Sequence, residues 1–443
     1  MEPIFWILIA AAALFAAVTA AIVIYLVVPQ PYPSLTESDY TYHTSPWWQI
    51  YYCHKYLRPK RRAERGTGLE QYFRSLDFHF DTSDVKDAQS LTIAAVGDLM
   101  CRKEFVGSGS DFLFHEVADE IFQSDLSVGN LEFAVNPHTY WYKLLRFSVP
   151  ASYASPLLGT KDRGRFDAVS LANNHINDSF HEGIRETCAF LDKEQTAYSG
   201  ANPTEADQDR ILMLERSGIK IAILAYTFST NNIPLEKGRE WGTNVVRFNA
   251  LSDEDYCPDL IERHIALAKE QGADYIVSCH HWCIDLELFP PSRIVRRAHA
   301  LLDAGIDLIL GHHPHVLGPV DRYRTQDGRD ALIFYSLGNL TAKGLPFAVQ
   351  RLAATARISL VVGTDAEGRK TVRPSAVEMI PSLFSSRRIN GVRSGIIRRV
   401  KRDALSTAEP LPPLSFREQA ELRHVDRIFQ KYFQSDTNGI CYR

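Results

Sequence analysis

The segment Asp307-Leu-Ile-Leu-Gly-His-His-Pro-His315 joins a short apolar run to three closely spaced imidazoles. Its first four residues follow an Ala-Gly break and predict a buried strand, with Gly311 allowing a sharp turn at the strand end. His312, His313 and His315 come next, on what reads as a loop. Neutral imidazole is the commonest nitrogen ligand of divalent metals, so this loop predicts a metal site. A polar surface loop with chance histidines is the alternative.

The composition is that of an ordinary globular protein. The chain has 443 residues, of which 45% are hydrophobic and 23% charged, and these proportions allow a large core. The net charge of -4 gives no reason to expect a nucleic-acid partner. The 7 cysteines form no compact disulfide framework. Cys279 and Cys283 flank two histidines, which leaves open a structural zinc site or, as we favour, two small buried apolar residues.

Residues 4–28 form a continuous apolar run without charge, long enough for a membrane-spanning helix of ~37 Å. We therefore predict a membrane anchor over residues 1–28. The alternative, a cleaved signal peptide, requires a basic start and a shorter apolar core. Because the first lysine after the run is Lys55, the positive-inside bias leaves the orientation open. Our expectation is a single-pass protein of the cell membrane whose globular domain is extracytoplasmic.

Residues 29–90 are predicted to form a tether with aromatic and basic segments. Three prolines end the apolar helix, and a group of tyrosines and tryptophans follows between positions 40 and 52. These rings suit either the membrane interface or packing on the globular domain. The basic residues 58–62 form either a contact with anionic lipid or a solvated face.

Residues 91–385 are predicted to form an α/β domain, because apolar strands alternate with helical patterns. This alternation favours a parallel or mixed sheet with helices packed on both sides. Ligand-capable side chains follow one predicted strand after another: Asp98, Glu132, Asn174, His175, His281, His313 and His315. In such folds the carboxyl ends of the strands lie along one edge, where sites assemble. Residues 386–443 are predicted to form a solvated basic segment, residues 387–402, and a terminal amphipathic helix.

Several motifs between residues 91 and 340 together resemble a known family. They are Gly97-Asp98-Leu-Met-Cys-Arg102, Asn130-Leu-Glu132, Ser170-Leu-Ala-Asn-Asn-His175, Ser199-Gly-Ala201, His281-Trp282, Gly311-His-His-Pro-His315 and Tyr335-Ser-Leu-Gly-Asn339. In these motifs the chain resembles the CapA family of capsule and poly-γ-glutamate synthesis proteins, which is related to the calcineurin-like metallophosphoesterases. The resemblance implies a layered metallophosphoesterase-like α/β sheet fold with helices on the outside, preceded by one N-terminal transmembrane helix.

The resemblance also implies roles for individual residues. Asp98 would bridge two metal ions, and the other ligands would be Glu132, Asn174, His281, His313 and His315. His175 would lie near the substrate and protonate the leaving group. Met100 stands where the wider superfamily has a histidine, and a thioether is a poor ligand for hard divalent ions.

Two further positions concern the substrate. Arg102 is either a partner for an anionic substrate or a plain surface charge. Asp285 stands where the family usually has an acid after its His-Trp motif, and Cys283 replaces the usual glycine. We take Arg102 and Asp285, together with His175, as the candidate catalytic residues.

The donor set defines the expected cofactor. Carboxylates and imidazoles suit Mn, Fe or Zn, as one ion or two, and two such ions can activate water for hydrolysis. The expectation is therefore a metal-dependent hydrolase at the membrane that acts on an anionic polymer or a phosphoester substrate. The alternative is a non-catalytic accessory subunit that binds polymer or braces membrane-bound polymer synthase and export subunits.

Overall fold

The computed structural model describes residues 13–16, 19, 60–101, 107–136, 146–231, 233–342, 348–400, 414–433 and 439–442. The chain divides into two compact units, Met1–Glu37 and Ser38–Arg443. In the first unit residues 13–16 and 19 are helical, and the rest of the predicted membrane anchor lies outside the described residues. Within the described part of the chain, no helix combines the length and the apolar character that crossing a membrane requires.

All the strands and the helices numbered below lie in the second unit. The strands are β1 Lys86–Leu99, β2 Leu126–Leu131, β3 Ala134–Val135, β4 Ser148–Val149, β5 Gly159–Thr160, β6 Gly164–Arg165, β7 Ala168–Ser170, β8 Ala197–Ser199, β9 Leu212–Arg216, β10 Ile219–Thr227, β11 Tyr275–His281, β12 Leu308–His312, β13 Val320–Arg324, β14 Asp330–Phe334, β15 Leu352–Thr364, β16 Lys370–Ile389, β17 Val392–Arg399 and β18 Ile440–Tyr442. The helices are α1 Leu69–Ser75, α2 Ala118–Phe122, α3 Ala151–Ala154, α4 Phe180–Glu194, α5 Asp259–Glu270, α6 Ser292–Ala304, α7 Ala348–Arg351 and α8 Phe416–Tyr432.

The strands form two large mixed sheets. The 8-stranded sheet has the order β17-β16-β15-β1-β2-β7-β8, with β18 paired to β16. The 6-stranded sheet has the order β13-β14-β12-β11-β10-β9. In the first sheet β1, β2, β7 and β8 pair in parallel, and in the second β10, β11, β12 and β14 do so. Each sheet therefore has one edge at which the carboxyl ends of its parallel strands lie together.

The two sheets face each other across a shared core. Leu91 and Ile93 of β1 belong to the same buried cluster as Ile221 and Ile223 of β10 and Leu310 of β12. Side chains alternate along a strand, so the intervening residues line the opposite face of each sheet. The central layer of the molecule is thus formed by the inner faces of both sheets.

Helices cover the outer faces. Val96 of β1 packs in one cluster with Ile184 of α4, and Leu224 of β10 packs in another with Ile265 of α5 and Leu301 of α6. The layers are helix, sheet, sheet, helix, which confirms the mixed α/β fold with helices outside. The expectation of a sheet with helices on both faces is wrong. A strand buried under a second sheet is as apolar as one buried under a helix, so the sequence pattern does not distinguish them.

The glycines that begin two of these motifs are sites of close backbone approach. Gly97 and Gly311 both lie within strands, β1 and β12, and neither has a positive φ. A Cβ on Gly97 would overlap the carbonyl group of Gly338, and one on Gly311 would overlap the carbonyl oxygen of Tyr335. The prediction of a sharp turn at Gly311 is therefore wrong. A glycine is required there because another backbone segment passes against it.

That passing backbone, residues 335–339, joins the two sheets at one edge. The Leu337 amide donates to the Gly311 carbonyl of the second sheet (3.2 Å), and the Asp98 amide of the first sheet donates to the Gly338 carbonyl (2.9 Å). The carboxyl ends of β1 and β12 are therefore fixed close together. This contact positions the candidate site described below.

Replacing Gly97 with alanine is expected to destabilise the fold by about 1–3 kcal/mol or more, because the added methyl group meets backbone that cannot move aside. Urea unfolding of the purified protein measures this loss. Gly129→Ala is the matched control in the neighbouring strand, since its Cβ would meet only side chains, Leu99 at 3.0 Å and Val96 at 3.2 Å. Equal stabilities for the two variants would contradict the close-approach interpretation.

The described part of the predicted tether contacts the globular domain. Lys60 is buried and forms an ion pair with Glu287 (3.0 Å). Phe73 of α1 packs edge-on against Tyr335, with 5.5 Å between ring centroids. Residues 29–59 lie outside the described residues.

The prediction of a solvated basic segment is wrong for residues 394–399, which are buried, whereas Arg388 and Arg393 are exposed. Residues 387–399 belong mainly to β16 and β17, so the expected boundary after residue 385 falls inside a strand. Arg398 is 1% exposed and donates to Glu116 (2.5 Å), and Arg399 donates to Glu120 (2.5 Å). The carboxylate partners lie nearly three hundred residues away along the chain, so the local charge run could not reveal the burial.

Candidate metal centre

The ends of the parallel strands place the candidate ligands at one rim of the molecule. Asp98 lies near the end of β1 and pairs in register with Asn130 of β2, which Glu132 follows closely. His281 ends β11 and pairs in register with His312 of β12. Because residues 335–339 join the ends of β1 and β12, carboxylates from the first sheet meet imidazoles from the second.

Two groups of three ligand-type side chains result. Glu132, His281 and His313 form one group, and Asp98, Glu132 and His315 form the other; within each group the ligand atoms lie within 4.8 Å of one another. Glu132 belongs to both groups. The sequence-based expectation gave the bridging role to Asp98, whereas this geometry gives Glu132 the shared position.

The carboxylate of Glu132 has the surroundings of a metal ligand. It is fully buried, and neither of its oxygens has a hydrogen-bond partner among the described residues. Its Oε1 lies 3.6 Å from His281 Nε2 and 3.5 Å from His315 Nε2. A buried carboxylate without hydrogen bonds is costly unless a cation or proton compensates it. The residues present therefore fit a divalent ion of the Mn, Fe or Zn type.

The electrostatics of the two carboxylates differ. Burial would raise the pKa of Asp98, but hydrogen bonds from His312 and His315 outweigh it and hold that pKa well below its usual range. Burial raises the pKa of Glu132 well above its usual range, and the nearby charge of Asp98 raises it further. Without a metal, the site thus keeps one carboxylate ionised and favours a proton on the other.

The pKa values of His315 and His281 are also shifted in opposite directions. Burial would lower the pKa of His315, but the charge of Glu132, together with the hydrogen bond and charge of Asp98, raises it well above its usual range. Burial lowers the pKa of His281 well below its usual range, and the neighbouring His313 lowers it further. His281 is therefore neutral and available as a ligand, and metal binding would have to displace a proton from His315.

Asparagine side chains orient the ligands. Asn130 Nδ2 donates to Asp98 Oδ1 (2.8 Å), and Asn339 Oδ1 lies 2.7 Å from His315 Nδ1. An Nδ1–H bond to Asn339 leaves His315 Nε2 facing Glu132, the arrangement that commonly orients a metal-binding imidazole. The sequence-based reasoning named neither these asparagines nor His312 as individual ligands; His312 Nδ1 lies 3.3 Å from Asp98 Oδ1. Their position inside the quoted motifs was the available signal.

The predicted pair Asn174–His175 lies beside this centre. Asn174 Oδ1 is 3.0 Å from His281 Nε2, so it reaches one of the candidate ligands. His175 Nδ1 lies 2.8 Å from Asp178 Oδ2, and its ring lies 4.1 Å from that of Phe147, centroid to centroid. With the Nδ1–H donated to Asp178, His175 Nε2 is the atom left for proton transfer. The sequence-based reasoning missed Asp178.

The loop after β12 adopts uncommon backbone conformations. His313 has φ 95° and His315 has φ 55°, in the left-handed region that residues with a side chain seldom occupy. The turn expected at Gly311 occurs at these histidines instead. Strained backbone of this kind is typical of ligand sites held in place by the surrounding fold.

The remaining predicted positions are less central. Asp285 is buried, and its charge contributes to raising the pKa of both Glu132 and His315. Arg102 lies outside the described residues. Cys279 and Cys283 are buried thiols, and burial raises the pKa of Cys279 to about 12. Neither belongs to the metal-type groups found in the described part of the chain, which favours their interpretation as small buried residues.

Fold and site together define a class of protein: a two-sheet α/β sandwich with a carboxylate–imidazole centre at the rim where its sheets meet. The family described as bacterial capsule synthesis protein PGA_cap matches residues 92–343, more than half of the chain. The chain belongs to this family. The match confirms the family resemblance and covers every candidate ligand.

Individual relatives agree with this assignment. The chain is 29% identical over 263 residues to the capsule biosynthesis protein CapA of Bacillus anthracis, covering 57% of this chain and 60% of that protein. It is 30% identical over 256 residues to the PGA biosynthesis protein CapA of Bacillus subtilis (strain 168), covering 56% and 62%. The matched region thus spans about three fifths of each relative.

Among solved structures, a putative 5'-nucleotidase from Staphylococcus aureus in complex with alpha-ketoglutarate is similar to this chain. The TM-score is 0.38 and the sequence identity 12%, over 76% of this chain and 58% of that one. A similarity at this level does not establish a common fold.

Proposed function

We propose that this protein takes part in the synthesis of a capsule or of poly-γ-glutamate, as a membrane-anchored protein with a metal-dependent hydrolase site. The observation that carries the hydrolase proposal is Glu132, a buried carboxylate common to two three-ligand groups. The relatives named for capsule and PGA biosynthesis support the biological role. The substrate would be the anionic polymer itself or a phosphoester.

The proposed ligands are Asp98, Glu132, Asn174, His281, His313 and His315. A divalent ion held there would act as a Lewis acid and lower the pKa of a bound water. The chain's own contribution is to hold these donors rigidly, since Asn130 and Asn339 fix Asp98 and His315 and the strands fix the rest. Burial of the site excludes competing water and strengthens the electrostatic interactions within it.

His175 is the proposed general acid. Asp178 holds Nδ1, so that Nε2 can carry the proton to the leaving group. Asn231 Nδ2 lies 3.4 Å from Nδ1 and 3.5 Å from Nε2, so this amide contacts the ring at both nitrogens. Asp285 and Arg102 are the other proposed catalytic residues. Asp285 is buried within the site, and Arg102 would contact the anionic substrate.

His175→Gln is expected to lower kcat about 10²–10⁴-fold, the usual contribution of general acid–base catalysis. Metal content should not change, because His175 belongs to neither three-ligand group. Steady-state hydrolysis of a chromogenic phosphodiester and of a γ-glutamyl substrate, with metal analysis alongside, measures both. His299→Gln is the matched control, since that imidazole pairs with Asp321 (2.9 Å) in another part of the fold. Loss of metal in His175→Gln would contradict this division of roles.

The hydrolase proposal has a direct test in the purified, metal-loaded protein. Wild type should bind divalent metal and hydrolyse one of these substrates, and His313→Ala should bind less metal and lose hydrolysis. If wild type and His313→Ala have the same metal content and the same hydrolytic rates, the metal-dependent hydrolase is wrong.

A non-catalytic accessory role is the second candidate, and one observation favours it. Asp98, Glu132, His281 and His313 are at most 1% exposed, and the side chain of His315 is only 13% exposed. A centre that is so little exposed suits a structural ion, in a protein that braces a polymer synthase or export complex. Co-purification of synthase subunits with a metal-loaded but hydrolytically inert protein would support this role.

The membrane anchor and the extracytoplasmic location are part of the proposal. They are supported by the uncharged apolar run of residues 4–28, which is long enough to span a bilayer. Protease added to intact spheroplasts should digest the globular domain if it lies outside the cytoplasm. Protection until the membrane is permeabilised would place the domain inside.

A further inference from the structure

A second candidate site lies between residues 61–62, α1 and α8. A cavity of about 560 Å³ opens there, within the size range of ligand pockets. We call it the basic cleft, defined by the cationic residues Arg61, Arg62, Arg74 and Lys431 and the aromatic residues Phe73, Phe289, Tyr432 and Phe433. The four cationic residues are exposed, so the charge faces solvent.

The positive charge of the basic cleft is largely uncompensated. Glu70 is the acidic residue in its lining, and it is already held by Arg62 (3.0 Å) and by the Ala63 amide (3.1 Å). Within the described residues, Arg61, Arg74 and Lys431 form no ion pair with a carboxylate. A cleft with three such cations is complementary to a ligand that carries several negative charges.

The cationic residues of the cleft act on the hydroxyl group and ring of Tyr432. Arg61 Nη1 donates to its hydroxyl oxygen (3.4 Å), and Lys431 Nζ lies 5.1 Å from its ring centroid. Burial would raise the pKa of Tyr432, but the hydrogen bond and charge of Arg61, with Lys431, lower it. A phenol held in this way indicates that the field of the cleft favours an anion.

The basic cleft is built mainly from parts of the chain outside the family match. Its cations lie before residue 92 or after residue 343, and only Phe289 and residues 317–320 come from the matched region. Leu317 lies two residues after His315, so their Cα atoms are no more than about 7 Å apart. One wall of the cleft therefore continues directly into the loop of the metal centre.

We propose that the basic cleft binds a segment of an acidic polymer that carries carboxylates at regular intervals. Arginine binds carboxylates in a bidentate manner, and the aromatic rings offer apolar surface to the methylene groups between the charges. For the identity of its ligand this inference rests on the proposed function. Bound polymer would lie next to the loop of His315 and so be presented to the metal centre.

The test uses the full chain in detergent and a fluorescent γ-linked glutamate oligomer, with binding followed by anisotropy. The double variant Arg61→Gln/Lys431→Gln should bind about tenfold more weakly, because exposed ion pairs contribute up to about 1 kcal/mol each. Binding should weaken as salt is added, since the charges are exposed. Arg423→Gln is the matched control, an exposed cation of the same helix that does not line the cleft.

Each outcome bears on the proposal. Selective loss in the double variant, with a neutral glutamine oligomer bound by neither protein, supports it. Equal weakening by Arg423→Gln overturns it in favour of non-specific attraction. If the double variant loses binding to phosphatidylglycerol vesicles and not to the oligomer, the cleft is a lipid site and the proposal is wrong. Loss of hydrolysis in His313→Ala with oligomer binding retained separates the cleft from the proposed hydrolase.

Discussion

Glu132→Gln is expected to lower the affinity for divalent metal at both halves of the centre by at least about 100-fold, because changes to outer-shell partners alone cost about 10–100-fold. Glu132 is the one residue common to the two three-ligand groups found among the described residues. An amide in its place removes the negative charge shared by both groups. Metal analysis after dialysis against buffered metal, with competition titration, measures the loss.

Two further variants separate a shared ligand from a general loss of structure. His313→Ala should weaken only the group of Glu132, His281 and His313, leaving that of Asp98, Glu132 and His315 with its ligands. Glu378→Gln, a carboxylate of β16 in the same large sheet, should leave metal binding unchanged. Wild-type metal affinity in Glu132→Gln would refute the centre.

Glu132→Gln should also stabilise the metal-free protein at alkaline pH. The pKa of Glu132 is raised in the folded state, first by burial and then by Asp98. Such a group contributes stability that is complete below its unfolded pKa, about 4.3, and is lost as pH rises through the folded value. Glutamine does not titrate, so in chelator Glu132→Gln should have the higher melting temperature at alkaline pH, and the difference should vanish in acid. A variant less stable than wild type across this range would contradict the sign.

Arg398→Ala is expected to destabilise the fold by about 3–5 kcal/mol, the usual cost of leaving one member of a buried ion pair unpaired. Arg398 and Glu116 have side chains that are each 1% exposed, and 2.5 Å separates Arg398 Nη1 from Glu116 Oε1. Arg398 Nη2 also lies 3.6 Å from Glu418 in the first turn of α8. Equilibrium unfolding in urea measures the loss of stability. Limited proteolysis shows whether α8 is released.

The controls for this prediction lie in the same basic segment. Arg388→Ala removes an exposed arginine of β16 and should change stability little. The double variant Glu116→Leu/Arg398→Met should recover much of the loss, because apolar replacement of a buried pair is often neutral or stabilising. Equal effects of Arg388→Ala and Arg398→Ala would show that burial of the pair is not what matters.

Much of the fold could be predicted from local pattern. The apolar runs at β1, β10 and β12 and the helical periodicity of α4 and α6 lie close to their predicted places. The polar residues that follow the strands were recognisable because a parallel sheet collects its carboxyl ends at one edge. The transmembrane helix stays a prediction, since residues 4–28 lie almost entirely outside the described residues.

The sequence by itself determined most of the longer strands and helices and the ligand-type side chains at the strand ends, because hydrophobic period and residue chemistry are local properties. Only the tertiary structure decided that two sheets face each other, that Gly97 and Gly311 admit a passing backbone, and that Glu132 is shared while Arg398 is buried. Each of these depends on contacts between residues far apart in the chain. A side chain's neighbours across such distances are set by packing, which no local pattern encodes.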